Sequence, residues 1–190
     1  MNSQGHHSTR RQAITRPRAA AERPDFSAQL LWQALASAAV QILSATALAN
    51  DPKATIADLD ARLAKIGVPR LDGKDKAGER EVAAIYFGDR KINNNYDVVD
   101  GIRKAHGATA TVFVKEGDEF VRVSTNVLTP EGKRGVGTQL ARNAAYAAVS
   151  KGEQFCGPID VLGTAYDACY NPIKDGKGQI IGVTYIGHKK

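Results

Sequence analysis

Thr109-Ala110-Thr111-Val112-Phe113-Val114-Lys115-Glu116-Gly117-Asp118-Glu119-Phe120-Val121-Arg122-Val123-Ser124-Thr125-Asn126-Val127 carries the clearest backbone instruction in this chain. β-Branched and aromatic residues crowd Thr109 to Lys115 and again Phe120 to Val127, with the two-residue period of pleated strands. Glu116-Gly117-Asp118-Glu119 separates them, and Gly117 supplies the positive φ that a tight hairpin loop needs. With that turn as pivot, Val112 and Val114 share a face with Val121 and Val123. Thr111 and Phe113 share the opposite face with Arg122 and Ser124.

Working downstream, Pro130-Glu131-Gly132 is a turn, and Leu140, Ala144, Ala147 and Ala148 predict one side of a helix over Thr138 to Lys151. A second hairpin follows, Gln154 to Val161 and Thr164 to Ile173, turning at Leu162-Gly163. Asp175-Gly176-Lys177-Gly178 sets off a last strand, Gln179 to Ile186. Pivoting on Leu162-Gly163 places the chain's two cysteines, Cys156 and Cys169, opposite one another at a non-hydrogen-bonded position. Cα atoms approach there to about 4.5 Å, within reach of a disulfide. Two small apolar thiols facing each other are the alternative. Neither reading makes these cysteines a metal site or a nucleophile.

Upstream, Asp51-Pro52 opens a helical pattern. Ile56, Leu59, Leu63 and Ile66 recur at spacings of three and four until Gly67 and Pro69 stop it. Leu71 to Arg80 is polar and reads as a linker. Periodicity does not decide the type of Glu81 to Phe87. Asn93-Asn94-Asn95 is a turn, and Val98, Val99, Ile102 and Ala105 predict a short helix ending near Gly107. Two hairpins plus one strand, with helices before and between them, argue for an α+β domain around a five-stranded antiparallel sheet.

The first 49 residues read differently. Arg10, Arg11, Arg16, Arg18 and Arg23 precede the uncharged run Leu30 to Ala49, which ends in Ala47-Leu48-Ala49. A basic stretch, an apolar stretch and small residues before Asn50 are the layout of a secretory signal peptide cleaved after Ala49. An uncleaved inner-membrane anchor over residues 30–49, facing the periplasm, is the alternative, and a soluble amphipathic helix is a third. Gln33, Ser37, Gln41, Ser44 and Thr46 dilute the run and favour the cleaved leader. The organisation expected is thus 1–49 leader or anchor, 50–80 N-terminal helix and linker, and 81–190 the sheet-bearing domain, periplasmic or secreted.

Export also changes the meaning of charge. The whole chain has 26 basic and 20 acidic residues, net +6. Five of the basic and two of the acidic residues lie before Asn50, leaving 21 against 18, or +3. With no Lys/Arg cluster interleaved with aromatics after Asn50, nucleic acid is not the expected partner. Catalytic inventory is also thin. His106, His188, Ser124 and Ser150 are the only histidines and serines after Asn50. No nucleophile elbow, His-x-x-x-His or Cys-x-x-Cys motif accompanies them. Gly132-Lys133-Arg134-Gly135-Val136-Gly137-Thr138 lacks the Gly-Lys-Thr ending of a phosphate-binding Walker loop and reads as a solvated turn carrying Arg134. A binding domain without cofactor or metal is expected rather than an enzyme.

Taken in order, several segments now carry a resemblance. They are Tyr96-Asp97-Val98-Val99-Asp100, the first hairpin, Gly132 to Thr138, Gly152-Glu153-Gln154-Phe155-Cys156-Gly157, Leu162-Gly163-Thr164-Ala165-Tyr166, Tyr170-Asn171-Pro172-Ile173-Lys174-Asp175 and Gly182-Val183-Thr184-Tyr185-Ile186-Gly187. The chain from about Tyr86 to Gly187 resembles the single Cache domain of the Cache 3/Cache 2 fusion type. That family forms extracytoplasmic sensors of bacterial chemoreceptors and histidine kinases. The resemblance implies a PAS-like fold, small-molecule binding, and a role in signal transduction such as chemotaxis. Members are commonly followed by a transmembrane helix and a signalling module. Here the sequence runs to His188-Lys189-Lys190, so the expected output is to a separate membrane receptor or histidine kinase.

The resemblance places the ligand against the sheet, under loops and short helices. Arg122, with Thr111, Phe113 and Ser124, then offers one side of a site. Tyr166, Tyr170 and Lys174, opposite Phe155 and Ile159, offer the other. An enclosed arginine grips a carboxylate with two parallel hydrogen bonds, and hydroxyls orient it, so a short organic acid is the expected ligand. Arg122 stacked on Phe113, or paired with Asp160 or Asp167, is the structural alternative, as are Tyr166 and Tyr170 as plain core aromatics. A protein-interaction or accessory module with a vestigial pocket is the competing function.

Overall fold

Asp51 opens the described chain as a helix cap, its carboxylate accepting from Lys53 N at 2.9 Å, with Pro52 at the first helical position. The computed structural model describes residues 51–190, so the expected leader or anchor and its cleavage point lie outside the described residues. Helix α1 (Pro52–Ile66) buries Ile56, Leu59 and Leu63, one stripe of the predicted pattern. Each fully buried side chain of this kind contributes about 1.5–3 kcal/mol.

The polar stretch read as a linker is strand. Strands β1 (Pro69–Ala77), β2 (Arg80–Phe87) and β3 (Arg90–Lys91) form a three-stranded antiparallel meander. Of β1 only Ala77 is buried, so its sequence shows no alternation of apolar and polar residues. Asn93, in the expected turn, acts as a further strand partner for β2. Its Oδ1 accepts from Ile85 N at 2.8 Å and its Nδ2 donates to Ala83 O at 3.2 Å. Helix α2 (Asp97–His106) follows, acidic in its first turn, basic in its last, and closed by Gly107 at φ 67°.

The second sheet holds β4 (Thr109–Glu116), β5 (Glu119–Thr125), β6 (Phe155–Val161), β7 (Thr164–Lys174) and β8 (Ile180–Lys189). Its order is β5-β4-β8-β7-β6, antiparallel throughout, with the last strand in the chain at the centre. The second hairpin keeps the register set by its turn throughout, with Cys156 opposite Cys169, and the first keeps it from the turn as far as Phe113 opposite Arg122. The cysteines are joined as a disulfide, sulfurs 2.00 Å and Cα atoms 4.2 Å apart.

One expected helix is shorter. Residues 137–140 run alongside β5, with Gly137 N donating to Arg122 O, Arg122 N to Thr138 O and Leu140 N to Phe120 O. Helix α3 spans only Ala144–Ser150, because Asn143 caps it by accepting from Ala145 N and Tyr146 N. Its buried residues are Ala145 and Val149, whereas Ala144 and Ala147 are exposed.

Two cores flank the five-stranded sheet. One packs α1, α2 and β2 against Val112, Val114, Val121, Val123, Cys169 and Ile186. The other packs α3 and the segment before it against Phe113, Phe120, Tyr170, Val183 and Tyr185. Gly182 of β8 is pinched between sheet and meander. A Cβ there would lie 2.3 Å from Phe113 O and 3.3 Å from both Ile85 Cδ1 and Ile173 Cδ1. A central strand cannot retreat from its neighbours, so Gly182→Ala is expected to cost about 3 kcal/mol or more. Urea unfolding measures this as a lowered midpoint, and an unchanged midpoint would refute the fit.

Candidate functional site

The second core contains one charged side chain. Arg122 is 3% exposed, in the strand next to the hairpin turn. Its Nη1 donates to Thr138 Oγ1 at 2.7 Å and Gln139 O at 3.2 Å, and its Nε meets no acceptor. The guanidinium carbon stands 4.9 Å from the centre of the Phe113 ring. Burial lowers the Arg122 pKa. Among the described residues no carboxylate pairs with it. Asp167 pairs with Lys190 at 3.0 Å, and Asp160 accepts from Gly163 N at 2.9 Å, so neither is the expected structural partner.

Cross-strand register sets what lies beside it. Thr125, Thr111, Tyr185, Tyr170 and Phe155 form one row across the sheet, and Arg122, Phe113, Val183 and Pro172 form the next. Thr111 and Thr125 bring their hydroxyls to 2.6 Å. The Tyr170 and Tyr185 rings lie 4.8 Å apart, and Phe155 meets Tyr170 edge-on at 6.2 Å. Burial raises the pKa of both tyrosines well above the ordinary phenol value, so they stand as neutral hydroxyls. Tyr185 shares a hydrogen bond with Thr109 Oγ1 at 3.1 Å. Tyr166 lines a cleft of about 350 Å³ at this end, with Arg103, Thr109, Asn126 and Lys189.

The structure therefore brings Arg122, Phe113, Thr111, Tyr166 and Tyr170 to one face. Ser124 departs from it. A β-bulge makes Val123 the extra residue, so Ser124 pairs with Val112 and donates to Asn95 O at 2.6 Å on the other face. Thr125 takes its place. Lys174 also stands apart. It follows a register shift at the end of β7, exposed, with its ammonium beside Gly152. Tyr185, and with it Thr109, escaped because only the pairing of β8 with β4 and β7 brings Tyr185 to this face; Thr138 escaped because its stretch reads as helix rather than as a segment alongside β5.

Arg134 is not the solvated turn residue expected. It holds both Asp100 oxygens at 2.9 and 2.8 Å, donates to Thr125 O at 2.8 Å, and lies 4.3 Å over the Tyr96 ring. This ties the segment covering the site to α2. Both histidines among the described residues have structural partners: His106 Nε2 meets Asp58 at 2.7 Å and His188 Nε2 meets Thr55 Oγ1 at 3.0 Å. Arg62, hydrogen-bonded to Asp58, and then His106 hold that carboxyl below the usual range. Among the described residues no cluster of His, Cys, Asp and Glu is arranged for a metal, and no helix is long and apolar enough to cross a membrane.

A five-stranded antiparallel sheet with an N-terminal helix on one face and a covered polar-aromatic cluster on the other is a PAS-like α+β sensor fold. The Cache 3/Cache 2 fusion domain matches residues 34–190, and the chain belongs to that family of non-catalytic extracytoplasmic sensor domains. The match begins inside the apolar run Leu30 to Ala49. Among solved structures, the crystal structure of the E. coli DcuS sensor domain is similar at 21% identity and a TM-score of 0.36. The similarity covers 48% of this chain and 63% of that one. No curated protein matches the chain.

Proposed function

We propose that this chain is an exported sensor domain that binds a short organic acid through Arg122 and passes the signal to a separate membrane receptor or histidine kinase. One observation carries the reading: a cation 3% exposed, unpaired with any acid among the described residues and with a free Nε–H. A buried charge without a counter-charge is costly, and a ligand carboxylate would complete it. Tyr170 and Tyr185 lie near enough to Arg122 to act on its charge as neutral phenols, and Thr111 stands in the adjacent row of the same face. Thr138 and Gln139, which contact the guanidinium, belong to the covering segment. A carboxylate seated on Nε–H and Nη2 would leave these Nη1 contacts in place, so the shared guanidinium would link occupancy to that segment and, through Arg134–Asp100, to α2.

The enclosure of Arg122 by Phe113 and neighbouring aromatics favours a second reading, an accessory module with a vestigial pocket that docks on a membrane protein. A thermal-shift screen of the chain against short organic acids, with amino acids and purines alongside, separates the two. Saturation at a hundred times the dissociation constant should add about 2.7 kcal/mol. Arg122→Lys should then weaken binding by about tenfold to a hundredfold, because lysine keeps the charge but not the planar fork. Equal affinity in that variant would end the carboxylate assignment. A screen in which nothing binds would favour the accessory module.

A further inference from the structure

On the face of the sheet that carries α1 and α2, away from Arg122, a cleft of about 480 Å³ opens between α1, the α1–β1 junction and the facing parts of β7 and β8. Leu63, Val68, Pro69, Phe87 and Ile173 wall it. Val68 stands 67% exposed at the rim. Backbone packing fixes that rim in place. A Cβ on Gly67 would lie 2.5 Å from Gly88 Cα, and one on Gly88 would lie 2.6 Å from Ile66 O. The opening is thus preformed, with the volume and apolar walls of a small-molecule site.

A single acid lines it. Asp60 Oδ2 accepts from Asn171 Nδ2 at 2.5 Å and Oδ1 from Thr184 Oγ1 at 2.7 Å. Both donors are neutral, and among the described residues no Lys, Arg or His pairs with this carboxylate. Lys174 lines the cleft too, but its ammonium lies beside Gly152. An ionised carboxylate offers about four lone-pair sites, of which two are used here. Burial raises the Asp60 pKa, so the charged form is poorly solvated, and a cation would relieve that cost.

We propose that this cleft is a second binding site, for a small organic cation with an apolar body, with Asp60 as counter-ion and Asn171 and Thr184 holding the carboxylate in line. The site is opposite in charge preference to the Arg122 cluster and stands independently of it.

The test uses n-hexylammonium chloride on the full chain, with n-hexanol and hexanoate as neutral and anionic counterparts of equal length. Backbone amide NMR shifts of Leu63 and Thr184 report occupancy of this cleft alone. Hexylammonium should bind at least about tenfold more tightly than either counterpart. Asp60→Asn should remove that preference. Ala64→Trp, which fills the cleft from an exposed position of α1, should abolish the shifts while leaving the fold intact. Arg122→Lys should leave hexylammonium binding unchanged, so failure of one site is distinguishable from failure of the other. Equal binding of the three probes, or full binding to Ala64→Trp, would overturn the proposal.

Discussion

Arg122→Met is expected to stabilise the folded chain and at the same time abolish its response to carboxylates. The native arginine sits among Phe113, Tyr170 and Tyr185 at 3% exposure, and its partners, Thr138 Oγ1 and Gln139 O, are both neutral. Its Nε–H has lost water and gained nothing. Desolvating a charge costs several kcal/mol in a protein interior, and two hydrogen bonds to neutral acceptors recover only part of that. Methionine has similar reach, fills irregular space beside an aromatic ring and carries no charge to desolvate. The gain expected is about 1–3 kcal/mol, after the loss of the bond to Gln139 O. On the proposed reading this cost is offset by ligand binding rather than by folding. Chemical denaturation of the two proteins without ligand decides the matter. A Met variant less stable than the parent would make Arg122 a structural residue and leave the sensor reading without its anchor.

The register that places Arg122 beside Phe113 was legible because Gly117-Asp118 leaves a two-residue loop no choice of pairing. Leu162-Gly163 did the same for the cysteines, with both residues at positive φ, 52° and 80°. What escaped was whatever depends on strands distant in sequence or on side chains that mimic backbone. The bulge at Val123 moved Ser124 to the other face, and no residue type announces it. β1 escaped because both its faces are largely solvated. Helix propensity in an Ala-rich stretch overstated α3. The competing demand came from the exposed edge of β5, which takes backbone hydrogen bonds from residues 137–140, and from Asn143, a strong cap within the expected helix. The carboxylate of Asp60 meets Thr184 across 124 residues, a contact that exists only because β8 lies at the centre of the sheet.

Reduction of the Cys156–Cys169 disulfide is expected to lower stability by about 3 kcal/mol, and the loss should be felt first in β6. The cross-link spans 13 residues, and opening it returns that loop's closure entropy to the unfolded chain. β6 is an edge strand, hydrogen-bonded to β7 alone, and it contains Pro158, which has no amide proton to give. Few other contacts hold it, chiefly Phe155 against Tyr170 and the packing of Ile159 and Val161 into the second core. Without the disulfide these must keep β6 in place unaided. For a domain of this size the melting temperature should fall by about 10 °C in reductant. β6 amides should exchange with solvent about a hundredfold faster, while those of β4 and β8 at the sheet centre change less. Cys156→Ser with Cys169→Ser should reproduce the reduced protein and should not respond to reductant. Because Phe155 packs against Tyr170, fraying of β6 would also loosen the row of aromatics that flanks Arg122. The reduced form should therefore bind an acid ligand more weakly than the oxidised form, and unchanged melting in reductant would show that the bond adds nothing to the fold.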